Sequence, residues 1–358
     1  MDKLKRNKEI SILLLLLVSL YLIMLVGGCK DGVNLVNRQQ INIAILAQNF
    51  NDKSFGFLAK KGSEEAKAKY GTETEYVEFP FEVEGSSEQI DNLLRKSSED
   101  NSMVICMGRE TKSSVEKVSR ERREKSFTII DSKVEEANVK SIIFKHQEGS
   151  FLMGVVAGSE TKTNQVGFVG ALNDEMGLEF CNGYMAGVKT VNEKAAKGLI
   201  DGIDTRFIQT YSDEKKAYEK AIELYNQGCD IIFQTCGRAG IGVFKAAKER
   251  GKLAIGVDVD QKVELPEYKD QIISSMIKKV DKTVLNSYKE MEEGSFKSGI
   301  DNIEEYGVKD DIIDYAPSTE ESVSKETMEK LKKYKENIKN GALEIPKKVY
   351  EVIEFKAE

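Results

Sequence analysis

Short apolar runs recur along this chain, each followed by a longer stretch in which apolar positions return every three or four residues among charged ones. The first run is Ile41-Asn42-Ile43-Ala44-Ile45-Leu46-Ala47. It is too short for a helix and too continuously apolar for a half-exposed strand, so it predicts a strand buried on both faces. The stretch from Ser54 to Tyr70 predicts a helix that stops before Gly71, with Phe57 and Leu58 in its first turns on the apolar side. Further strands are expected at Met103–Met107, Phe127–Asp131, Ser141–Phe144 and Val166–Val169, then at Arg206–Gln209, Cys229–Phe233, Leu253–Val257 and Gln271–Ser274. Helices are expected at Arg109–Lys125, Gly149–Ser159, Leu178–Val188, Asp213–Asn226 and Ile241–Arg250. Strands alternating with helices of this length give parallel sheets covered on both faces, so the fold class is α/β. So many βα units exceed one sheet and divide into two doubly wound lobes. The pattern weakens after Gly307, where Ser324 to Asn340 predicts a lysine-rich helix with Gly341 placed to cap it.

The first thirty residues follow a different pattern. Lys3, Lys5, Arg6 and Lys8 precede an apolar run from Ile10 to Val26, and Val26-Gly27-Gly28-Cys29 follows. A basic start, an apolar core and small residues at the end form an export signal. The run of 17 residues is shorter than the roughly 20 that cross a bilayer as a helix, although an uncleaved anchor is the alternative. The cysteine after two glycines resembles the lipobox of bacterial lipoproteins, with Val26 where Leu is usual. That resemblance implies a signal peptide over 1–28, a diacylglyceryl group on Cys29 and a polar tether over 29–40. On either reading the remainder lies outside the cytoplasm, fixed to the cell membrane.

About 330 residues remain, enough for two packed domains. The formal charge is -7, and removing residues 1–28, with four bases and two acids, leaves -9. An acidic exterior argues against nucleic acid as a partner. Cys106, Cys181, Cys229 and Cys236 are too few for a disulfide scaffold, and Cys106 and Cys229 sit in strand-like runs as small apolar residues. A Cys229–Cys236 bridge stays open. With one histidine and no metal-ligand spacing, no cofactor is expected. That histidine, His146, has no neighbouring nucleophile, and there is no GxSxG elbow, so the chain does not read as an enzyme.

In open α/β sheets, ligands meet the C-terminal ends of the strands. The rule selects Asn49, Asn51, Asp52, Ser54 and Phe55 after the first strand, Gly108 and Arg109 after the second, and Asp131 at the end of the third. It also selects Thr210, Tyr211 and Asp213, then Gln234, Gly237, Gly240 and Gly242, then Asp258, Ser275 and Lys278. Phe55 and Tyr211 could sandwich a flat ring, Asp131 and Asp258 offer acceptors, and Lys278 is the one clear base. A planar base joined to a sugar would suit such a site, and a phosphate would not. Individually each has a plainer reading: a core phenylalanine, a packing tyrosine, aspartates that cap the next helix. Gly237-Arg238-Ala239-Gly240-Ile241-Gly242 does not match the dinucleotide fingerprint GxGxxG, and reads as a tight turn with Gly242 permitting close helix packing.

Taken in order, several segments resemble the basic membrane protein family of bacterial lipoproteins, purine nucleoside-binding components of ABC transporters. They are Asp52-Lys53-Ser54-Phe55, Glu148-Gly149-Ser150-Phe151-Leu152, Gln165 to Gly170, Gly183 to Val188, Gly228 through Gly242, Ala254 to Asp258, Ser275 to Lys278, and Gly341 to Pro346. The resemblance implies a type I periplasmic-binding-protein fold whose two lobes are joined by a hinge. Lobe 1 would take 41–145 with a return segment of about 275–307, and lobe 2 would take 146–274 with 308–358. It implies a monomer that closes on guanosine, inosine or adenosine and delivers it to an ABC permease. Phe55 and Tyr211 would stack the base and Asp131 would read its edge. Gly237, Asp258 and Lys278 would lie near the ribose, with Asn49 and Asp52 beside the ligand. Gly56 stands where many members have Asn, removing an amide that Asn49 or Asn51 could replace. A surface interaction lipoprotein, an adhesin or antigen with a vestigial cleft, is the alternative; a nucleoside-processing enzyme is a third reading.

Overall fold

A computed structural model describes residues 41–51, 53–79 and 87–357. The export signal, Cys29, the tether and Asp52 lie outside the described residues. In chain order the elements are β1 (Asn42–Ala47), α1 (Phe55–Tyr70), β2 (Glu73–Glu78), α2 (Ser87–Asp100), β3 (Met103–Met107), α3 (Lys112–Glu121), β4 (Ser126–Ile130) and β5 (Val139–Phe144). There follow α4 (His146–Glu160), β6 (Val166–Gly170), α5 (Glu175–Val191), α6 (Glu193–Ile200), β7 (Thr205–Phe207), α7 (Glu214–Gln227), β8 (Ile231–Thr235), α8 (Ile241–Arg250) and β9 (Leu253–Asp258). The last are α9 (Gln261–Glu264), β10 (Ile272–Lys278), α10 (Val280–Glu293), β11 (Glu304–Tyr306), β12 (Ile313–Tyr315), α11 (Lys325–Lys339) and α12 (Val349–Glu354).

The described strands form two six-stranded sheets, ordered β11-β5-β4-β3-β1-β2 and β12-β10-β9-β8-β6-β7. All pairings are parallel except β10 with β12. The two halves repeat one winding: in each, the second strand lies outside the first and the third begins the opposite direction of growth. A crevice therefore opens at the strand C-termini where the order reverses, beside β1 and β3 in one lobe and β6 and β8 in the other. The chain crosses between sheets three times, after β5, after β10 and between β11 and β12.

Sequence explains most of these elements directly. β1 is buried at five consecutive positions because helices cover both sides of its sheet. α1 ends where Gly71 takes a left-handed conformation (φ 76°) and its N–H caps the Lys67 carbonyl. Gly242 lets α8 lie against α7, where a Cβ would meet the Glu214 carbonyl oxygen at 2.0 Å. The four cysteines at 106, 181, 229 and 236 are all buried and free, which settles the open Cys229–Cys236 pairing against a bridge.

Two boundaries and an edge strand depart from expectation. The helix anticipated from Arg109 starts as a 3-10 turn over Arg109–Thr111, because Gly108 enters it from a left-handed φ of 89°. The strand expected to stop at Ser274 runs on to Lys278. Ser274 and Ser275 look like strand-ending polar residues, but both are buried and bonded, to Thr319 Oγ1 (2.8 Å) and to the Gln261 N–H (3.2 Å). β2 was not anticipated: Glu-Thr-Glu-Tyr-Val-Glu lies on the sheet edge with no fully buried position, so it carries no apolar signature.

Candidate ligand-binding site

Strand-end residues of both sheets line one cavity of about 860 Å³, counting its open mouth. Lobe 1 contributes Asn49 and Phe55 after β1, Gly108, Arg109 and Glu110 after β3, and Asp131 after β4. Lobe 2 contributes Tyr211 after β7, Gly237 and Arg238 after β8, Asp258 at the end of β9, and Lys278 at the end of β10. Met176, Gly177 and Phe180, from the first turns of α5, complete an apolar wall. Of the residues expected at the ligand, all but Asp52, which is not described, line this cavity.

Several of the backbone positions here demand special residues. Asp131 and Asp258 occupy equivalent strand ends in the two lobes and both are left-handed, at φ 66° and 70°. Aspartate tolerates this region better than most non-glycine residues, at a cost of order 1 kcal/mol or more each. Gly237 reaches φ 55° without that cost.

The charged floor is tightly organised. Lys278, 3 % exposed at its side chain, donates to Asp131 Oδ2, whose side chain is 7 % exposed. Its ammonium lies 4.6 Å from the ring centres of Phe55 and Phe144 and 3.4 Å from His146 Nε2. His146 Nε2 is 3.3 Å from Asp131 Oδ1, while its Nδ1 is 3.5 Å from Glu179 Oε2. Glu179 in turn pairs with Lys347 at 3.0 Å. Burial alone would raise the Asp131 pKa; Lys278 and His146 outweigh it and hold that pKa down to about 2. Asp258 shifts the other way. Its burial dominates, although Lys278 and the Ser54 hydroxyl, which donates to it, favour the charged form. Burial likewise raises Glu110 and, beside Glu110 and Asp131, the Tyr211 phenol.

Contacts also cross the cavity mouth. Lys53 meets Glu264 at 3.2 Å, and Arg109 pairs with Asp174, whose other oxygen caps α5 through the Gly177 N–H at 2.8 Å. Lys278 is therefore not the one base at the cavity: Arg109, already among the strand-end residues, is joined by Arg238. Arg109 and Arg238 both reach the cavity, the second lying 3.8 Å from Glu214, and Lys278 is itself paired. Three bases at the cavity mean that a shortage of positive charge does not by itself disfavour a phosphate.

The strand-end rule over-selected elsewhere. Asp213 caps α7 (3.0 Å to the Lys216 N–H), Asn51 is exposed and does not line the cavity, and Gln234 is bonded to Gln261 and the Cys236 N–H. Asn49 lines the cavity, though its Oδ1 is engaged by the Asn51 N–H at 2.6 Å. Glu110 and Phe180 were missed. For Glu110 the rule stopped one residue short of it, after Arg109; Phe180 sits inside a helix, where no strand-end signal points. Among the described residues no group of side chains could hold a metal ion, and no helix is long and apolar enough to cross a membrane.

Two doubly wound lobes with a cavity at their facing strand ends define the type I periplasmic-binding fold. The chain belongs to the Bmp family: residues 41–349 match the model described as ABC transporter substrate-binding protein PnrA-like. The CD4+ T-cell-stimulating antigen of Listeria monocytogenes is 32% identical over 84% of this chain and 85% of that protein. The ABC transporter nucleoside-binding protein BmpA of Lactococcus lactis is 27% identical, covering 92% and 97%. An ABC transporter solute-binding protein from Aeropyrum pernix superposes with a TM-score of 0.74 over 88% of this chain and 98% of that one; at 20% identity it supports the fold alone.

Proposed function

We propose that this cavity closes on a purine nucleoside and that the protein presents it to an ABC permease from the outer face of the cell membrane, held there by lipid on Cys29. The observation that carries this reading is the shared cavity of Phe55 and Tyr211, two aromatic residues from opposite lobes. A flat ring entering between them buries both faces, and base-on-aromatic stacking contributes about 1–3 kcal/mol per base. Asp258, Gly237 and Lys278 from lobe 2 supply polar groups suited to sugar hydroxyls, and Asn49 and Asp131 from lobe 1 supply polar groups suited to the base edge. The reading agrees with the name of the Lactococcus lactis relative. The Listeria monocytogenes relative's name supports a surface antigen as the second reading, in which the cavity has no transported ligand. Binding a solute and being displayed to an immune system are compatible, so ligand decides. Purified protein, denatured and examined by small-molecule mass spectrometry, should release a purine nucleoside in near-stoichiometric amount. Release of none, with none taken up when nucleosides are added back, would favour the interaction protein.

A further inference from the structure

We propose that Glu110 sets the base preference of this cavity, accepting two adjacent N–H donors of a guanine-type edge and disfavouring adenine. The inference rests on the nucleoside reading above. Glu110 lies in the 3-10 turn that follows β3 and lines the cavity together with the stacking pair Phe55 and Tyr211. Its carboxylate folds back over Gly108: a Cβ added to Gly108 would fall 2.4 Å from Glu110 Oε2. Gly108 thus both permits the left-handed turn and leaves the room that the carboxylate occupies. The other two cavity carboxylates are engaged, Asp131 by Lys278 and His146 and Asp258 by Ser54. Glu110 makes no hydrogen bond or ion pair to another side chain among the described residues; its carboxylate is held by its own backbone N–H, and burial already disfavours its charge. A desolvated carboxylate with only that one local donor keeps acceptor capacity that a ligand's N–H groups can fill.

An ionised carboxylate only accepts. Guanine offers it N1–H and the 2-amino group side by side, a bidentate match. Hypoxanthine offers N1–H alone. Adenine offers one amino N–H beside a ring-nitrogen lone pair, which faces the second carboxylate oxygen as acceptor against acceptor. The order of affinity should be guanosine, inosine, adenosine. A good bidentate pair discriminates by about 1–3 kcal/mol, so guanosine should exceed adenosine by roughly five- to 150-fold.

Calorimetric titration of ligand-free full-length protein with the three nucleosides tests this, with Glu110→Gln as the variant. The amide has one donor and one acceptor, which suits adenine and spoils the guanine match. The expected result is a guanosine-to-adenosine affinity ratio that falls to near one or inverts. Glu110→Ala, which removes the acceptors without adding a donor, should also lower the ratio, and serves if the glutamine variant folds poorly. Nucleoside binding with an unchanged ratio in both variants would overturn this inference alone. No binding of any of the three by the wild-type protein would overturn the nucleoside reading and this inference with it.

Discussion

Lys278→Met removes the cation at the centre of the cavity floor while nearly preserving side-chain volume. Its Asp131 partner has a pKa of about 2 against an ordinary 3.8. At ~1.4 kcal/mol per unit, that depression corresponds to about 2.5 kcal/mol of stability at neutral pH. Without Lys278, burial is opposed only by His146, so the carboxylate loses this contribution and more. Breaking one partner out of a buried ion pair costs about 3–5 kcal/mol, and the cation–π contacts to Phe55 and Phe144 go with it. We expect a loss of about 3–4 kcal/mol in urea unfolding of ligand-free protein at pH 7. The sign of the pH dependence follows from the depressed pKa. The wild-type contribution is complete above the unfolded value near 3.8 and is lost as pH falls through about 2, so the gap between wild type and variant should narrow over that window. Adding Asp131→Asn to Lys278→Met should recover part of the loss, because the uncompensated charge is then gone. A single-variant cost below about 1 kcal/mol, or a gap that stays constant from pH 5 to pH 2, would refute the claim that this pair is the electrostatic centre of the floor.

Phe55→Ala should weaken nucleoside binding by about 1–3 kcal/mol, measured by calorimetry on a variant whose unfolding midpoint is retained; an untouched dissociation constant would make Phe55 a packing residue only. Cys29→Ser should abolish incorporation of labelled fatty acid and leave the signal unprocessed, since a single acyl chain holds a protein only marginally and stable attachment takes two; unchanged label in the variant would remove Cys29 as the lipidation site.

The lobes were legible because a strand buried on both faces, such as β1, can be written only with consecutive apolar residues. Edge and three-residue strands escape that logic: β2, β11 and β12 have too few buried positions to leave a pattern. At the site, the strand-end rule found Phe55, Asp131, Tyr211, Gly237, Asp258 and Lys278 because the winding forces strand ends to converge. It could not tell lining residues from caps. Asp213 and Asp258 look alike in sequence, yet one serves its own helix and the other faces the opposite lobe. Nor could it pair Asp131 with Lys278, 147 positions apart, or find the Arg109–Asp174 contact across the mouth. His146 reads as an isolated histidine at the foot of a helix; only the folded chain places it between two carboxylates and a lysine.

Closure of two lobes over a nucleoside is the central claim. Contacts such as Lys53–Glu264 and Arg109–Asp174 join the lobes in this structure, and a ligand that binds a closed form more tightly than an open one shifts the population toward it. Small-angle scattering of ligand-free protein, with and without saturating guanosine, tests this most directly. The radius of gyration should be smaller with the nucleoside bound. An identical radius in both states, with calorimetry on the same sample establishing that guanosine is bound, would contradict it.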